Sequence, residues 1–204
     1  QIKKHFLKVK KINLLKLRKW KFNKKEIYHE SKKFFKVVGV RIQSNFYKKK
    51  NWDQPIIVQN EIGILGVIKN TKTNKYLLQA KVEPGNINKI QISPTVQATR
   101  SNYSRVHGGK TIPFIKYFKR RNKNFSLQSE QAFRYYNKKN SNIITYVSKR
   151  IDLNDEASSF ILSPILFKLL VSTIISSASD KSSVSFVYSS WLKHFTECVR
   201  KSNR

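Results

Sequence analysis

EIGILGVIKNTKTNKYLLQAKVEPGN, residues 61–86, reads as two strands and the turn between them. Aliphatic and β-branched residues crowd 61–69 and 75–82, and polar turn-formers bound both runs. NTKTN supplies the Asn and Thr of a hairpin connection. Alternation along the second strand puts Gln79, Lys81 and Glu83 on one face and Leu78, Ala80 and Val82 on the other. The polar set is expected to look into a pocket and the apolar set into the core. Pro84-Gly85-Asn86 then turns the chain.

Outward from this hairpin the pattern stays strand-rich. FFKVVGVRI (34–42) reads as a strand, and Trp52 and Pro55 close an irregular loop. Residues 90–98 read as a strand interrupted near Pro94, followed by a loop over 100–109. Residues 129–140 read as a helix with Phe133 and Tyr136 on one side, and NIITYVS (142–148) as a strand. Ser163-Pro164 has the form of a helix start, an N-cap serine with proline at the first position, and that helix is expected to reach about Val171. A last helix capped at Ser189 or Ser190 carries Trp191, Leu192, Phe195, Cys198 and Val199 as one stripe, which makes Cys198 a core residue. At the other end, Leu14, Leu15, Leu17, Trp20 and Phe22 suit a short helix packed on the core. Strands interleaved with few helices give an α+β class. The expected division is a basic segment 1–25, a module 26–188 and a C-terminal amphipathic helix 189–204.

The chain has 204 residues, enough for one domain with a real core. Lysine and arginine number 42 against 11 acids, a net charge of +31. Such charge attracts polyanions: nucleic acid, anionic membrane or phosphorylated ligands. The cations spread over the whole length, with crowding before Lys50, so most read as solvated surface. No RNA-binding, zinc-finger or helix-turn-helix signature accompanies them, which disfavours nucleic acid. The single cysteine excludes a disulfide framework and fits a reducing, cytoplasmic location. His5, His29, His107 and His194 are far apart, so no metal site is expected. The apolar run 160–175 is interrupted by Pro164 and Lys168, and a span needs about 20 residues, so it reads as a buried helix. The basic start lacks an apolar stretch of the signal-peptide kind. Gln1 and the absence of methionine suggest a piece of a longer protein.

QAKVEPGNINKIQISPTVQATRSNYSRVHGGK (79–110) holds three of the six glycines and a density of varied donors and acceptors. Such a set suits a polar, anionic ligand held by many short hydrogen bonds. GGKT (108–111) resembles the end of a phosphate-binding loop. The first glycine of that pattern is Ser104 here, so the match is set aside.

WDQPIIVQNEIGILG (52–66), QAKVEPGN (79–86), SPTVQATRSNYSRVHGGK (93–110) and QSEQ (128–131) resemble the signature runs of the NDP-hexose 2,3-dehydratases. The likeness extends upstream through HESKKFFKVVGVR (29–41) and weakly downstream through 175–187. It implies one Nudix-like module, a mixed β-sheet flanked by helices, and the first of two such modules. It also implies loss of water across C2–C3 of an NDP-4-keto-6-deoxyhexose, the nucleotide being dTDP, without cofactor or metal. The expected assembly is a homodimer or a pairing with a second module. No Nudix catalytic helix and no acidic cluster for magnesium are present in the sequence.

The reaction needs a base for the C3 proton, a donor for the enolate oxygen and cations for the diphosphate. The resemblance makes Glu83, Tyr103 and His107 the candidates for base and acid. Glu83 alternatively pairs with Lys81 or caps the turn, Tyr103 stacks on the ligand, and His107 orients Gly108-Gly109. Arg100 and Arg105 suit the diphosphate through forked hydrogen bonds. Gln79, Lys81, Asn86, Gln97, Thr99, Ser101, Asn102, Gly108, Gly109 and Lys110 complete the expected binding set. Trp52 either walls the sugar pocket or fills core. The chain departs from the family pattern at 31–33, where Ser-Lys-Lys replaces a usual glycine. It departs also at Asn60, where proline is usual, and at Asn140-Ser141-Asn142, where a basic run is usual. A sugar-nucleotide-binding module without catalysis is a second reading, and a basic nucleic-acid binder a third.

Overall fold

The computed structural model describes residues 7–46, 48, 51–86, 91–106, 108–119, 125–151 and 159–162. The first strands are β1 (Trp20–Phe22), β2 (Glu26–His29), β3 (Lys36–Gln43), β4 (Asn51–Val58), β5 (Gly63–Asn70) and β6 (Lys75–Lys81). After β7 (Gln91–Pro94) and β8 (Val96–Ala98) comes one turn of helix, α1 (Arg100–Tyr103). β9 (Phe125–Ser129), β10 (Tyr135–Tyr136), β11 (Lys139–Val147) and β12 (Ser159–Leu162) follow. One sheet has the order β1-β2-β3-β4-β10. The other runs β12-β6-β5-β11-β9, with β7 added to β6 and β8 to β5. β5 runs parallel to β11 and β4 to β10; the other pairs are antiparallel, so both sheets are mixed.

The opening hairpin forms as its sequence predicts. Asn70 Oδ1 accepts from the Lys72 and Thr73 N–H groups at 3.0 Å each, and Asn74 takes the left-handed conformation with φ 52°. β5 and β6 then stay paired only from Ile68↔Leu77 to Asn70↔Lys75. Beyond that they part, and β8 and β7 fill the gap: Ile64–Gly66 pairs with β8, and Leu78–Lys81 with β7. Thr95, fully buried, sits at the fork. Its hydroxyl accepts from the Ile68 N–H at 3.0 Å and donates to the Leu77 carbonyl. Two backbone groups that the parting strands cannot give each other are thereby satisfied. Gln79 Nε2 donates to the Thr95 carbonyl at 2.5 Å.

One face of the second sheet carries the core: Ile68, Leu77, Val96, Ala98 and Ile143, covered by Ile115 and Phe118. Gly66 lies under Phe118, and a Cβ there would come within 2.4 Å of the ring. The close approach of sheet and ring needs glycine at this position.

The observed architecture is a mixed-sheet fold with very little helix among the described residues, which corrects several expectations. Residues 129–140 form β9's end, a turn, β10 and the start of β11 instead of a helix. The burial of Lys138, Asn140 and Asn142 has period two, and Asn137 has φ 52°. Phe133 and Tyr136, expected on a helix face, are 61% and 53% exposed. Trp52 and Pro55 belong to strand β4. Pro55 is tolerated because β10 joins β4 only at Ile57 and Val58, which leaves the other edge open at residue 55. Arg100–Tyr103 is helical where a loop was expected. Val82, expected to face the core, is 37% exposed. Among the described residues near the N-terminus only Leu14–Lys16 is helical, as a 3₁₀ turn. Leu14 and Leu15 are 59% and 80% exposed, so the expected packing on the core is not seen. Residues 159–162 are a strand on β6, where a helical run was expected to begin. The helices expected at 163–171 and from 189 lie outside the described residues. Lys32 has φ 55°, a conformation that glycine adopts without strain, at the place where the glycine was expected.

Tyr76 is 2% exposed, and burial pushes its phenol up to about 12 from 10.0, with Tyr146 adding to the shift. Between those values the unfolded chain loses the proton first, so stability falls as pH rises through that window. Two units correspond to about 2.7 kcal/mol by pH 12. Denaturation curves for the wild type and Tyr76→Phe should therefore converge as pH rises from 10 to 12, since the variant lacks this loss.

Candidate functional site

The chemistry gathers around Glu61, where the loop before β5 meets the start of α1 and the residues that lead into β11. Thr99, in extended backbone, leads into α1, and its hydroxyl lies 3.1 Å from that of Ser101. Ser101 is buried, and both its N–H and its hydroxyl donate to Glu61 Oε2, at 3.0 and 2.8 Å. Glu61 stands just before β5, so these bonds tie the start of α1 to the loop between the two sheets. The ammonium of Lys138 donates to the Glu61 carbonyl, and Lys138 is only 3% exposed. The Glu130 N–H bonds to the Lys138 carbonyl at 3.0 Å, and Asn140 Nδ2 donates to Glu130 Oε2 at 2.8 Å. Alternation places Lys138, Asn140 and Asn142 on one side of the sheet. Gln128 is the register partner of Asn140 across β9, and Gly63 is its partner across β5. A Cβ on Gly63 would come within 2.5 Å of Asn140 Oδ1, so glycine gives that amide its room.

Burial pulls the Lys138 ammonium below its usual range, while Glu130 and Glu61 pull it back up. Tyr135 is raised, first by burial and then by Glu130, with Arg134 opposing and Glu83 adding a smaller push. The Tyr135 phenol is therefore held neutral, a hydrogen-bond donor, with the carboxylates of Glu130 and Glu83 in electrostatic reach. A hydrogen-bond relay positions it: Trp52 Nε1 donates to Gln54 Oε1 at 2.9 Å, and Gln54 Nε2 donates to the Phe133 carbonyl at 2.8 Å. Half-buried Trp52 thus braces the turn that delivers Tyr135.

The residues expected at the site divide into several groups. Lys81 and Glu83 form an ion pair of 2.8 Å at the end of β6, with 30% and 43% of their side chains exposed. Gln79 is taken up by the Thr95 carbonyl, Asn86 by the Lys81 carbonyl at 3.1 Å, and Gln97 by the Ser93 hydroxyl at 3.1 Å. Tyr103 packs against the core cluster. Arg100, Asn102, Gly108, Gly109 and Lys110 are exposed. Arg105 has φ 55° and its Nε donates to the Gly109 carbonyl at 3.0 Å, closing the loop after α1; Gly108 has φ 69°. His107 lies outside the described residues. Ser101 meets Glu61, with Thr99 against Ser101, and Glu83 meets the field of Tyr135; no described bond joins Tyr103 to Glu83.

Glu61, Glu130, Tyr135 and Lys138 were not foreseen. The signal for the two acids was their scarcity, 11 in a chain of net charge +31. Both fall inside runs that carried the family likeness. Lys138 had no signal, being one of 42 cations. Among the described residues no group of three histidine, cysteine or acidic side chains could hold a metal ion. No described helix is long and apolar enough to cross a membrane.

The sequence model of the family described as NDP-hexose 2,3-dehydratase matches residues 1–163. A dTDP-4-dehydro-6-deoxy-alpha-D-glucopyranose 2,3-dehydratase of Saccharopolyspora spinosa is 41% identical over 143 residues, covering 66% of this chain and 29% of that protein. Proteins of the same name from Streptomyces violaceoruber and Amycolatopsis orientalis are 38% and 37% identical over 152 and 141 residues. Those matches cover 71% and 64% of this chain, and 34% and 30% of the relatives. The chain spans about a third of the length of the curated relatives it matches.

Proposed function

The chain belongs to the NDP-hexose 2,3-dehydratase family, and on that premise we propose that it is a sugar-nucleotide lyase module. Its substrate is a dTDP-4-keto-6-deoxyhexose, and it removes water across C2–C3. The C4 ketone acidifies the C3 proton. Glu83 takes that proton, the neutral Tyr135 phenol donates to the enolate oxygen on C4, and the C2 hydroxyl leaves as water after protonation. The C3–H and C2–O bonds break, and a C2=C3 double bond forms. The resulting enol rearranges to a 3,4-diketone. No electron acceptor enters this balance.

The observation that carries the reading is the cluster built on Glu61, Glu130 and the buried Lys138, with the half-buried Tyr135 phenol on the turn that leads to it and within electrostatic reach of Glu130 and Glu83. A phenol kept protonated near carboxylates is a donor suited to developing negative charge. Arg100 and Arg105, exposed on and after α1, hold the diphosphate. Tyr103 and His107 border the sugar; His107 serves as the acid at the C2 oxygen. The mixed sheets, with β5 and β11 parallel, support a Nudix-like scaffold. Cytoplasmic residence and a homodimer, or pairing with a second module, complete the proposal.

The test is proton chemistry at C3. In deuterated water the 204-residue chain should exchange or eliminate at C3 of dTDP-4-keto-6-deoxyglucose. Binding without either outcome would make the chain a sugar-nucleotide-binding module instead. A companion prediction addresses affinity. Arg100→Ala and Arg105→Ala should each weaken dTDP-glucose binding about ten- to a hundredfold by calorimetry, the effect of losing a hydrogen bond to a charged group. Joint replacement of Lys48, Lys49 and Lys50 by alanine should leave the affinity as it was. The reverse pattern would transfer the binding surface to the lysine runs.

A further inference from the structure

The turn that carries Arg100 is held from outside. α1 has four residues, and a helix this short does not hold itself, because fixing its backbone costs more than its few internal bonds return. It also lacks the usual local supports. Thr99 stands at the N-cap, but its side chain makes no capping hydrogen bond, and the first turn contains no acid. The acid comes from 40 residues away in sequence. Glu61 Oε2 accepts from both the N–H and the hydroxyl of Ser101, at 3.0 and 2.8 Å.

Glu61 is itself fixed at its other end. The β5–β11 register pairs Gly63 with Asn140 in parallel strands, and continuing it back by two residues brings Glu61 opposite Lys138. There the Lys138 ammonium donates to the Glu61 carbonyl. Lys138 and Ser101 are both buried. The backbone of residue 61 is thus anchored to the sheet, and its carboxylate reaches from that anchor to α1.

Ser101 in turn sets the segment that carries two exposed arginines. Arg100 precedes it directly, and the Arg100 carbonyl accepts from the Ser104 N–H at 2.9 Å. The Ser101 carbonyl accepts from the Val106 N–H at 3.1 Å, and Arg105, with φ 55°, lies inside the loop that this bond closes. The place of Ser101 therefore decides from where both guanidinium groups project. A guanidinium meets a phosphate through a planar fork, and its hydrogen bonds weaken steeply when misdirected.

We infer that Glu61 is the positioning residue for Arg100 and Arg105. It touches no part of the ligand and acts by holding the turn that presents both cations to the diphosphate. The inference rests on the function proposed above and adds what pre-organises the anion-binding side of the site.

The experiment is a double-mutant cycle on dTDP-glucose affinity, read by calorimetry, with circular dichroism melts to show that each variant is folded. Arg100→Ala should weaken binding about ten- to a hundredfold, and Glu61→Ala should weaken it by a similar factor. Glu61→Gln keeps an oxygen that can accept from Ser101 and should recover most of that loss. The double variant Glu61→Ala with Arg100→Ala should lose much less than the product of the two single losses, because both act on the same contacts. A merely structural role would leave the two losses independent, so a full product would overturn the inference. Wild-type affinity in folded Glu61→Ala would overturn it too, and the lyase reading would stand if the arginine variants still lose dTDP-glucose. If Glu61→Ala does not fold, Ser101→Ala takes its place in the cycle with the same two criteria. Wild-type affinity in both arginine variants would end the diphosphate assignment and this inference with it.

Discussion

Glu83→Gln is expected to slow C3 proton exchange on the 4-keto sugar nucleotide by about a hundred- to ten-thousandfold, the range for removing a positioned base. The amide keeps the shape of the side chain and loses its capacity to accept a proton. Folding should hardly change. The Lys81–Glu83 pair is 30% and 43% exposed, and pairs of this kind contribute about 0–1 kcal/mol. Affinity for dTDP-glucose should also persist, because its diphosphate is held elsewhere. Loss of exchange with retained affinity and retained melting temperature is thus the signature of a base. Wild-type exchange in this variant would remove Glu83 from the chemistry. Loss of exchange in Tyr135→Phe alone would then shift attention to Glu130, the larger charged influence on that phenol.

The second large effect concerns stability. Lys138→Ala should destabilise the fold by about 1.5–3 kcal/mol or more, the lower part being the range for losing a hydrogen bond to a charged group. The Glu61 carbonyl loses its donor, the packed stem leaves a void, and Glu130 and Glu61 lose their nearby cation. Lys138→Met retains most of the packing and removes only the charge, so it should cost less. The pH profile separates the two contributions. Burial lowers the lysine in the folded state, so the unfolded chain binds more protons between that lowered value and 10.5. Wild-type stability therefore gains as pH rises through that window, most of which lies below pH 10, where the Tyr76 loss begins. The methionine variant should lack this gain. A parallel profile for wild type and Lys138→Met in chemical denaturation would refute the buried-charge account.

The hairpin at 61–82 and the break near Pro94 were legible because turn chemistry and β-branched runs are local signals. The strand character of 129–140 was not. Tyr135, Tyr136 and Lys138 carry no local strand motif, and β11 is set by its parallel partner β5, some 77 residues away in sequence for Ile144↔Val67. The same holds for the site. The 79–110 run carried its donors in plain view, but the structure spends Gln79, Asn86 and Gln97 on holding strand ends. The groups with perturbed protonation, Tyr135 and Lys138, become special only through burial, and burial is a property of the assembled sheet.

Thr95 also constrains the order in which the chain can assemble. The hairpin is the local structure and can close alone, soon after residue 82 leaves the ribosome. Nothing in its own register stops it at Ile68↔Leu77; continued closing would set Val67 opposite Leu78 and Gly66 opposite Gln79. Where the ribbon has zipped past that pair, residues 91–98 can dock only after it reopens, exchanging hairpin bonds for their own. The wedge is thus a built-in conflict between a fast local partner and a slow distant one. It makes the ribbon's reopening a natural slow step in folding, and makes a chain interrupted before residue 95 prone to settle in the wrong pairing.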